Sequence, residues 1–598
     1  MTVIRSRGLE DRQRHAPMMV HYRGRMHDLV IRRGNVVDGS GGAARVADVA
    51  IAGDRVVEVG DVVGAGAREI DADGLLVTPG FVDVHTHYDA QATWDPYLTP
   101  SSWHGVTTAV MGNCGVGFAP AEADKHEWLI EVMEGVEDIP GTALTEGIQW
   151  EWESFPEYLD ALDRRRYVLD LGAQVPHSAV RGYVMGDRSG VNNPASPDDM
   201  AAMARIVADG LRAGALGFST SRTPLHKSKS GELVPGTMVA ADELYAIAAA
   251  MQEVGHGVFQ FAPEHAILPE QEWPWMRELA STYGRTGSVN FSQFDQAPDL
   301  WREVLDKLDE AIADGIPIVA QVHGRTVGLL MCLEGSYHPL MFHPAYGEIA
   351  ALPLVERCAA LRSGPIRQRL IDQIPDDDGF FEKVVLGTMW KTWAVGGDDG
   401  GGDIDYEPHP DDSIGSVAAR TGVSPIELVI DHLLTADGHG MLYSPFFNYS
   451  YGDLSFNYEA HMHPGTRMGL ADAGAHVRVI CDGGCPTFML THWTRDRTRG
   501  PKMPLEYVIH RQTRQTAELY GLGDRGLLAP GMRADVNVID YDALTFGTPR
   551  MAWDLPGGAP RLVQKAKGYR HTLCAGVETV TDDEFTGELP GRLVRGPR

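Results

Sequence analysis

The feature that most constrains the fold is an alternation of short apolar strand-like runs with helix-like segments between residues 81 and 472. Such alternation is typical of βαβ units and a parallel sheet. The strands are predicted at residues 81–87, 107–111, 215–220, 257–261, 288–294, 316–323, 440–445 and 467–472. Helices are predicted between several of them, at residues 197–213, 241–254 and 298–314. This succession predicts an α/β protein with a (β/α)₈ barrel that carries insertions. The alternative is an open doubly wound sheet, but no glycine-rich dinucleotide fingerprint follows a strand.

The two ends of the chain have a different texture from its middle. Residues 28–79 and 525–598 contain short β-like runs separated by glycine and aspartate turn residues, which predicts that both ends meet in one small domain. The barrel is then expected over residues 80–524. Residues 328–420 interrupt its alternation of strand-like and helix-like runs. They are interpreted as an insertion that forms a lid, and the alternative is a flexible surface segment without a role in the substrate pocket. Residues 1–27 are basic and aperiodic, and are interpreted as an N-terminal extension.

Charge and composition narrow the classes of partner. The formal net charge of −30 argues against nucleic acid and anionic membranes, because phosphates repel an acidic surface. The 6 cysteines among 598 residues are too sparse for a disulfide framework, which favours a reducing compartment. Neither a signal-peptide core nor an apolar run of about 18 residues is found, so a cytoplasmic protein with a small-molecule substrate is expected. The oligomeric state is open, and a homo-oligomer is among the alternatives.

Residue types that can bind metals lie at the ends of several predicted strands. His85 and His87, in "VDVHTHYD", lie two residues apart and can therefore point to the same side of a strand. Cys114 follows the next strand in "VMGNCGVG", and Asp472 closes the last apolar run. Each feature alone has a structural explanation. The two histidines could be a coincidental pair, Cys114 a buried hydrophobic residue and Asp472 a turn residue. Because the carboxyl ends of barrel strands meet at one face, the joint pattern favours a metal site.

Further histidines are weaker candidates. His323 closes a strand of its own and is either a metal or substrate residue or a satisfied structural histidine, while His476 is a candidate to contact the substrate or a metal ligand. Histidines in predicted loops are expected to be solvent-exposed: His226, His265, His461 and His463. Other chemistries lack their motifs, since there is no G-x-S-x-G, Walker A or HExxH sequence.

Three stretches resemble a known family. "LLVTPGFVDVHTHYDAQ", "GVTTAVMGNCGVGFAP" and "GLLAPGMRADVNVID" are similar to the amidohydrolase superfamily, and within it to the N-acyl-D-amino-acid deacylase (D-aminoacylase) branch. The resemblance covers residues 28–542, and the "GNCG" cysteine is what indicates this branch. It implies a (β/α)₈ TIM-like barrel, a small β-sandwich built from both ends, and zinc-dependent hydrolysis of amide bonds. It further implies that His85, His87 and Asp472 hold one metal position, and that Cys114 with two further histidines holds a second.

The chain departs from this family at those further histidines. Gln260, in "FQFAPE", and Gln293, in "SQFD", stand where the resemblance places metal-binding histidines. An amide oxygen is a much poorer zinc ligand than an imidazole, so these two residues are candidates for metal or substrate contact only. One Zn²⁺ ion is therefore favoured, and a second is left open.

These observations lead to a metal-dependent hydrolase that cleaves an amide or related C–N bond of a small molecule. Asp472 is expected to act as general base and then as general acid. A second hypothesis keeps the scaffold but changes the reaction to hydrolysis of a lactone, carbamate or cyclic amide, or to a lyase step. A third, which the two glutamines favour, is a catalytically degenerate metal-binding protein.

Overall fold

A parallel sheet forms the centre of the molecule. The computed structural model describes residues 27–190, 193–373, 375, 380–396, 404–469 and 471–597. Eight strands of these described residues form one sheet in which all the neighbours run parallel. They are Phe81–Asp83, Val106–Met111, Asp170–Pro176, Gly217–Ser221, Val258–Ala262, Gly287–Phe291, Ile318–Val322 and Thr466–Met468. The α/β class with a curled parallel sheet is therefore confirmed.

The first and last of these strands approach each other just beyond their carboxyl ends. Thr86 and Ala473 form an isolated parallel bridge. The amide of His87 donates to the carbonyl of Ala473 over 2.8 Å, and the amide of Asp472 donates to the carbonyl of His85 over 3.1 Å. Backbone pairing therefore brings the ends of two strands together that are almost four hundred residues apart in the chain.

Two strand predictions need correction. The run at 440–445, expected in the barrel, belongs to the strand Leu442–Phe447, which pairs antiparallel with Val327–Met331 and Trp393–Ala394 in a separate sheet. The third parallel strand, Asp170–Pro176, was missed because Gly172, Gln174 and a terminal proline interrupt its apolar pattern. A local apolar run does not reveal its pairing partner, which only tertiary contacts decide.

Helices connect most of the parallel strands. Pro197–Ala213 has the predicted bounds, because a capping box of Ser196 and Asp199 starts it and Gly214, at φ 113°, ends it. The helices outside the insertion are His126–Glu137, Gly141–Gly147, Phe155–Asp163, His177–Met185, Pro197–Ala213, Ala241–Val254, Trp273–Tyr283, Trp301–Ala313, Ser455–Met462, Cys485–Phe488, Leu505–Gln512 and Arg514–Leu519. Within the described ranges, none of the helices combines the length and apolarity that crossing a bilayer requires.

The insertion has a core of its own. Its helices are Pro344–Gly347, Leu354–Arg362, Pro365–Asp372, Phe380–Gly387 and Ile414–Thr421, and the helix Pro425–Leu433 follows it in the chain. They pack with the antiparallel sheet around a separate group of buried residues that includes Met331, Leu361, Leu433 and Leu442. A separate core allows this segment to hold a fixed wall against the strand ends.

The two ends of the chain share one sheet. Leu76–Pro79 pairs antiparallel with Val536–Ile539, which joins N-terminal to C-terminal strands. The members of this nine-stranded sheet are His27–Val36, Arg45–Ala52, Arg55–Gly60, Gly66–Asp71, Leu76–Pro79, Val536–Ile539, Tyr569–Cys574, Val577–Thr581 and Glu584–Phe585. Short pairs join Thr545–Phe546 to Ala566–Lys567 and Arg550–Leu555 to Ala559–Val563. The division into two packed layers, as a β-sandwich, stays a prediction, and residues 1–26 of the expected extension lie outside the described residues.

Candidate metal centre

Four predicted residues meet where the first and last parallel strands end. His85 Nε2 lies 3.2 Å from Cys114 Sγ and 3.2 Å from Asp472 Oδ1, and His87 Nε2 lies 3.5 Å from the same carboxylate oxygen. Ligand atoms of His85, His87 and Cys114 all lie within 4.8 Å of one another. We refer to His85, His87, Cys114 and Asp472 as the strand-end cluster. Its spacing allows one ion to contact all four side chains.

The backbone of this cluster is held in unusual conformations. Cys114 and Asp472 have positive φ angles of 54° and 48°, which are uncommon outside glycine. The glycines on either side of Cys114 permit close packing, because a Cβ on Gly112 would lie 2.4 Å from the carbonyl of Gln174 and one on Gly115 2.6 Å from the amide of Ser221. Backbone strain of this kind persists where the surrounding structure enforces it, and it concentrates at functional sites.

Both histidines of the cluster are oriented by polar side chains that the sequence did not reveal. Gln321 Oε1 lies 2.8 Å from His85 Nδ1 and accepts a hydrogen bond from the N–H at that position, so that the unprotonated Nε2 faces the cluster. Glu137, at the end of the helix His126–Glu137, places Oε1 3.2 Å from His87 Nδ1, within ion-pair distance although the two atoms are not aligned as a hydrogen bond. A carboxylate or amide behind a histidine fixes the ring and raises its basicity as a metal ligand.

Cys114 is supported by an amide chain. Gln260 Oε1 accepts from the backbone amide of Cys114 over 2.8 Å, and its Nε2 donates to Asn290 Oδ1 over 2.8 Å. Asn290 Nδ2 in turn lies 3.5 Å from Cys114 Sγ. Gln260 therefore contacts the cluster through the residues that position Cys114, and both ends of its amide are engaged.

The electrostatics of the cluster couple the binding of a cation to the loss of protons. Burial alone would lower the pKa of His87, but Glu137 and Asp472 raise it well above its usual range, so a bound ion would displace a proton from this ring. Burial lowers the pKa of His85 to about 4, so its imidazole is neutral and able to bind a metal. Burial alone would raise the pKa of Asp472, but His85 and His87 hold it well below its usual range. Burial raises the pKa of the Cys114 thiol to about 11. A coordinated cation reverses such a shift, because a thiol that binds a metal loses its proton.

The donor set fits a zinc ion. Asp472 Oδ1 is buried and has no aligned hydrogen-bond donor among the described residues, although two imidazole nitrogens lie close to it. Unsatisfied buried oxygens are rare in proteins, and a bound ion is one reason for them. Two imidazoles, a thiol and a carboxylate are ligand types that Zn²⁺ accepts.

The cluster opens into a cavity of about 650 Å³. His87, Cys114 and Asp472 line it, together with residues from the end of the helix His126–Glu137 and from the insertion. His226, expected to be solvent-exposed, also lines the cavity, and burial lowers its pKa to about 3. A volume of this order accommodates a small organic ligand next to the cluster.

The sequence of the chain matches one family model over most of its length. The model of the amidohydrolase family matches residues 68–580. The chain belongs to this family. It is a metal-dependent hydrolase that acts on C–N bonds, as the sequence predicts.

Relatives of this amidohydrolase include deacylases. A D-aminoacylase of Alcaligenes xylosoxydans xylosoxydans is 26% identical over 586 residues, which span 95% of this chain and 97% of that protein. A solved D-aminoacylase with a binuclear metal centre has a TM-score of 0.61 at 22% identity, covering 95% of this chain and 100% of the other. A solved N-acyl-D-glutamate deacylase from Bordetella bronchiseptica, bound to zinc and a phosphonate inhibitor, has a TM-score of 0.63 at 22% identity, covering 96% and 100%.

The remaining predicted residues of the amidohydrolase lie apart from the strand-end cluster or at its edge. Gln293 is engaged away from it, since its Nε2 donates to the carbonyl of Pro298 and its Oε1 accepts from the amide of Ser450. His476 lines the cavity, with Nε2 3.7 Å from Glu137 Oε2.

His323 belongs to a different buried group. Its Nε2 lies 3.2 Å from Asp482 Oδ2, and its Nδ1 lies 2.9 Å from the carbonyl oxygen of Arg325. His461, expected to be exposed, is fully buried beside it, with Nε2 3.1 Å from the carbonyl oxygen of His323. Both rings are thus held by the interior of the protein.

Proposed function

We propose that this amidohydrolase cleaves an amide bond of a small molecule by a deacylase-like reaction in which water attacks the carbonyl. The observation that carries the proposal is the strand-end cluster, where ligand atoms of His85, His87 and Cys114 lie within 4.8 Å of one another and Asp472 Oδ1 lies 3.2 Å from His85 Nε2. The adjoining cavity of about 650 Å³ supports access for a substrate.

His85, His87, Cys114 and Asp472 would hold one Zn²⁺ ion. When bound, zinc lowers the pKa of water toward neutrality and polarises a carbonyl group. A single ion is supported by the two glutamines: the amide of Gln260 is engaged by Cys114 and Asn290, and that of Gln293 by backbone groups at Pro298 and Ser450. Each glutamine oxygen already accepts one hydrogen bond and each amide nitrogen already donates one, which favours a supporting role for both side chains over binding of a second ion.

Asp472 would move the proton. Its carboxylate is ionised beside the two imidazoles, and it would accept a proton from the attacking water and later donate it to the leaving nitrogen. His476 would contact the substrate, which its position in the lining of the same cavity supports.

We also infer the division of labour between the domains. Residues 80–524 would carry the chemistry, and the shared sheet of residues 28–79 and 525–598 would support the barrel. The insertion at 328–420 would act as a lid that shapes the substrate cavity, since Gly335 and Met341 from it line that cavity.

The test uses the purified full chain, its metal content and a substrate panel. We expect about one zinc per chain by mass spectrometry, loss of activity with a chelator, and recovery on adding Zn²⁺. The panel compares open-chain amides, including N-acyl-D-amino acids, with cyclic amides, carbamates and lactones. Faster turnover of the cyclic compounds, carbamates or lactones would favour the second hypothesis. A chain that binds no metal and turns nothing over would favour the degenerate protein.

A further inference from the structure

The cavity beside the strand-end cluster has two unlike walls. The helix His126–Glu137 and the residue after it supply carboxylates, namely Glu134, Glu137 and Asp138. Apolar side chains of the insertion and of the strand that pairs with it supply another part of the lining. The two walls suit different chemical groups, so they restrict what can bind beside the metal site.

The apolar wall presents side chains that do not cover one another completely. Val327 and Phe447 are partners across the antiparallel pair of strands, and both line the cavity. Met341, on the adjoining turn of the insertion, is 39% exposed. Leu329 and Ile480 extend the same lining. A concave, partly exposed apolar surface beside a reactive site gains free energy when an apolar ligand group covers it.

The cationic side chains of the cavity are largely engaged by the protein itself. Arg478 Nη2 lies 2.6 Å from Asp138 Oδ1, and Lys229 Nζ lies 2.9 Å from Glu134 Oε1. Asp138 is held further by the hydroxyl of Ser336, which donates over 2.5 Å. Within the described part of the lining, Lys227, an exposed residue, is the remaining Lys or Arg.

A carboxylate on the substrate would have to compete with the protein's own carboxylates for Arg478 and Lys229. Next to the strand-end cluster it would have to displace Asp138 or Glu134 from its cation, or lie beside Glu137. The remaining cation, Lys227, is exposed to solvent, where screening weakens an ion pair. Like charges brought together in a partly enclosed site are strongly disfavoured, whereas an uncharged group meets no such penalty.

We propose that the substrate is an uncharged N-acylated amine, with no carboxylate next to the scissile bond and with a large apolar group against the wall formed by Val327, Leu329, Met341 and Phe447. This inference rests on the proposed amide hydrolysis and adds its substrate class. It separates this chain from the relative that is named as an N-acyl-D-glutamate deacylase.

The first experiment compares two compounds that differ only in the carboxylate, N-octanoyl-D-phenylalanine and N-octanoyl-2-phenylethylamine. We expect the zinc-loaded enzyme to favour the uncharged compound by about tenfold or more in kcat/KM. Dissociation constants for the zinc-loaded Asp472→Asn variant give the same comparison without turnover. Equal or tighter binding of the carboxylate would overturn the substrate class. Preferential binding of the uncharged compound without turnover by the wild-type enzyme would instead contradict amide hydrolysis.

Asp138→Asn tests the cause of this preference. The substitution releases Arg478 from its carboxylate partner and removes one negative charge from the wall. We expect the preference for the uncharged compound to fall by about tenfold, because a free guanidinium binds carboxylates well. An unchanged preference in a folded variant would contradict the electrostatic argument.

Chain-length series test the apolar wall. Compounds are lengthened in turn on the acyl side and on the amine side of the amide. On one side we expect kcat/KM to rise about threefold to fourfold per methylene over several steps. Phe447→Ala and Met341→Ala should flatten that series. The control Val355→Ala, at a position of the insertion that is 76% exposed, should not change it. Flat series on both sides of the bond would overturn the assignment of the wall.

Discussion

Two groups of histidine, cysteine and aspartate residues are built from similar side chains but lie in different surroundings. The strand-end cluster lines a cavity, and its carboxylate Asp472 faces two imidazoles. The second group, which we call the sealed cluster, consists of His323, Arg325, Asp482 and Cys485. His323 Nε2 lies 3.2 Å from Asp482 Oδ2 and 3.7 Å from Cys485 Sγ.

The sealed cluster carries its own cation. Arg325 Nη2 donates to Asp482 Oδ1 over 2.9 Å, and its guanidinium lies 3.5 Å from the centre of the Tyr406 ring. These residues are at most 5% exposed, and none of them lines the large cavity among its described residues. Asp482 is thus neutralised by a guanidinium, which keeps its charge, whereas Asp472 faces two imidazoles, which can lose a proton when a metal binds, and lines an open cavity. Residue types alone do not distinguish a metal site from a structural one; the counter-charge and access do.

The largest effect is expected for Asp472→Asn. The amide cannot take a proton from water, so kcat/KM should fall about 10²-fold to 10⁴-fold on any amide that the wild-type enzyme hydrolyses. Because Asp472 is also a proposed metal ligand, activity is measured at saturating Zn²⁺ and expressed per bound metal. A metal-loaded variant within a few-fold of wild-type activity would remove Asp472 from the proton transfer.

Asp482→Asn should instead affect folding. The substitution leaves the Arg325 guanidinium buried without its charged partner, which costs about 3–5 kcal/mol of the free energy of unfolding. Urea titration measures this loss, and the metal content of the folded fraction should equal that of the wild type. Loss of metal at unchanged stability would show that the two clusters are not separate in function.

The sequence revealed those parts of the site that have local signals. His85, His87, Cys114 and Asp472 could be found because ligand-type side chains follow apolar runs, and parallel strands bring such ends to one face. The same reasoning could not separate His323 from them, since it also follows a strand. What distinguishes His323 is a contact with Asp482, which lies far along the chain.

The side chains that hold the ligands of the strand-end cluster could not be predicted from the sequence, for a physical reason. Glu137 ends a helix, a position that typically indicates a solvent-exposed carboxylate. In the structure it is 1% exposed and lies against His87. Gln321 and Asn290 are amides within or at the end of strands, and their roles depend on rings and thiols in other strands. In the fold, regular helices with caps were predictable, whereas the strands Asp170–Pro176 and Leu442–Phe447 were misjudged because pairing partners leave no local pattern.

Glu137→Gln tests the support of the strand-end cluster. We expect zinc affinity to fall about 10-fold to 100-fold, because a neutral amide orients His87 less firmly and makes it less basic. Competition with a chromogenic chelator measures the affinity. The matched control is Glu134→Gln, one helical turn earlier, where the carboxylate contacts Lys229 rather than a histidine. If both variants lowered zinc affinity equally, the loss would come from removing negative charge near the cavity and not from the contact between Glu137 and His87.

The smallest expected effect is a difference in zinc affinity between variants of Gln260 and Gln293. Gln260→Ala removes the acceptor for the Cys114 amide and a partner of Asn290, so zinc affinity should fall about tenfold while the chain stays folded. Gln293→Ala removes contacts to Pro298 and Ser450 only, and should leave zinc affinity within a factor of about two. If Gln293→Ala lowered zinc affinity as much as Gln260→Ala, Gln293 would belong to the metal site, and the boundary drawn around the strand-end cluster would have to be widened.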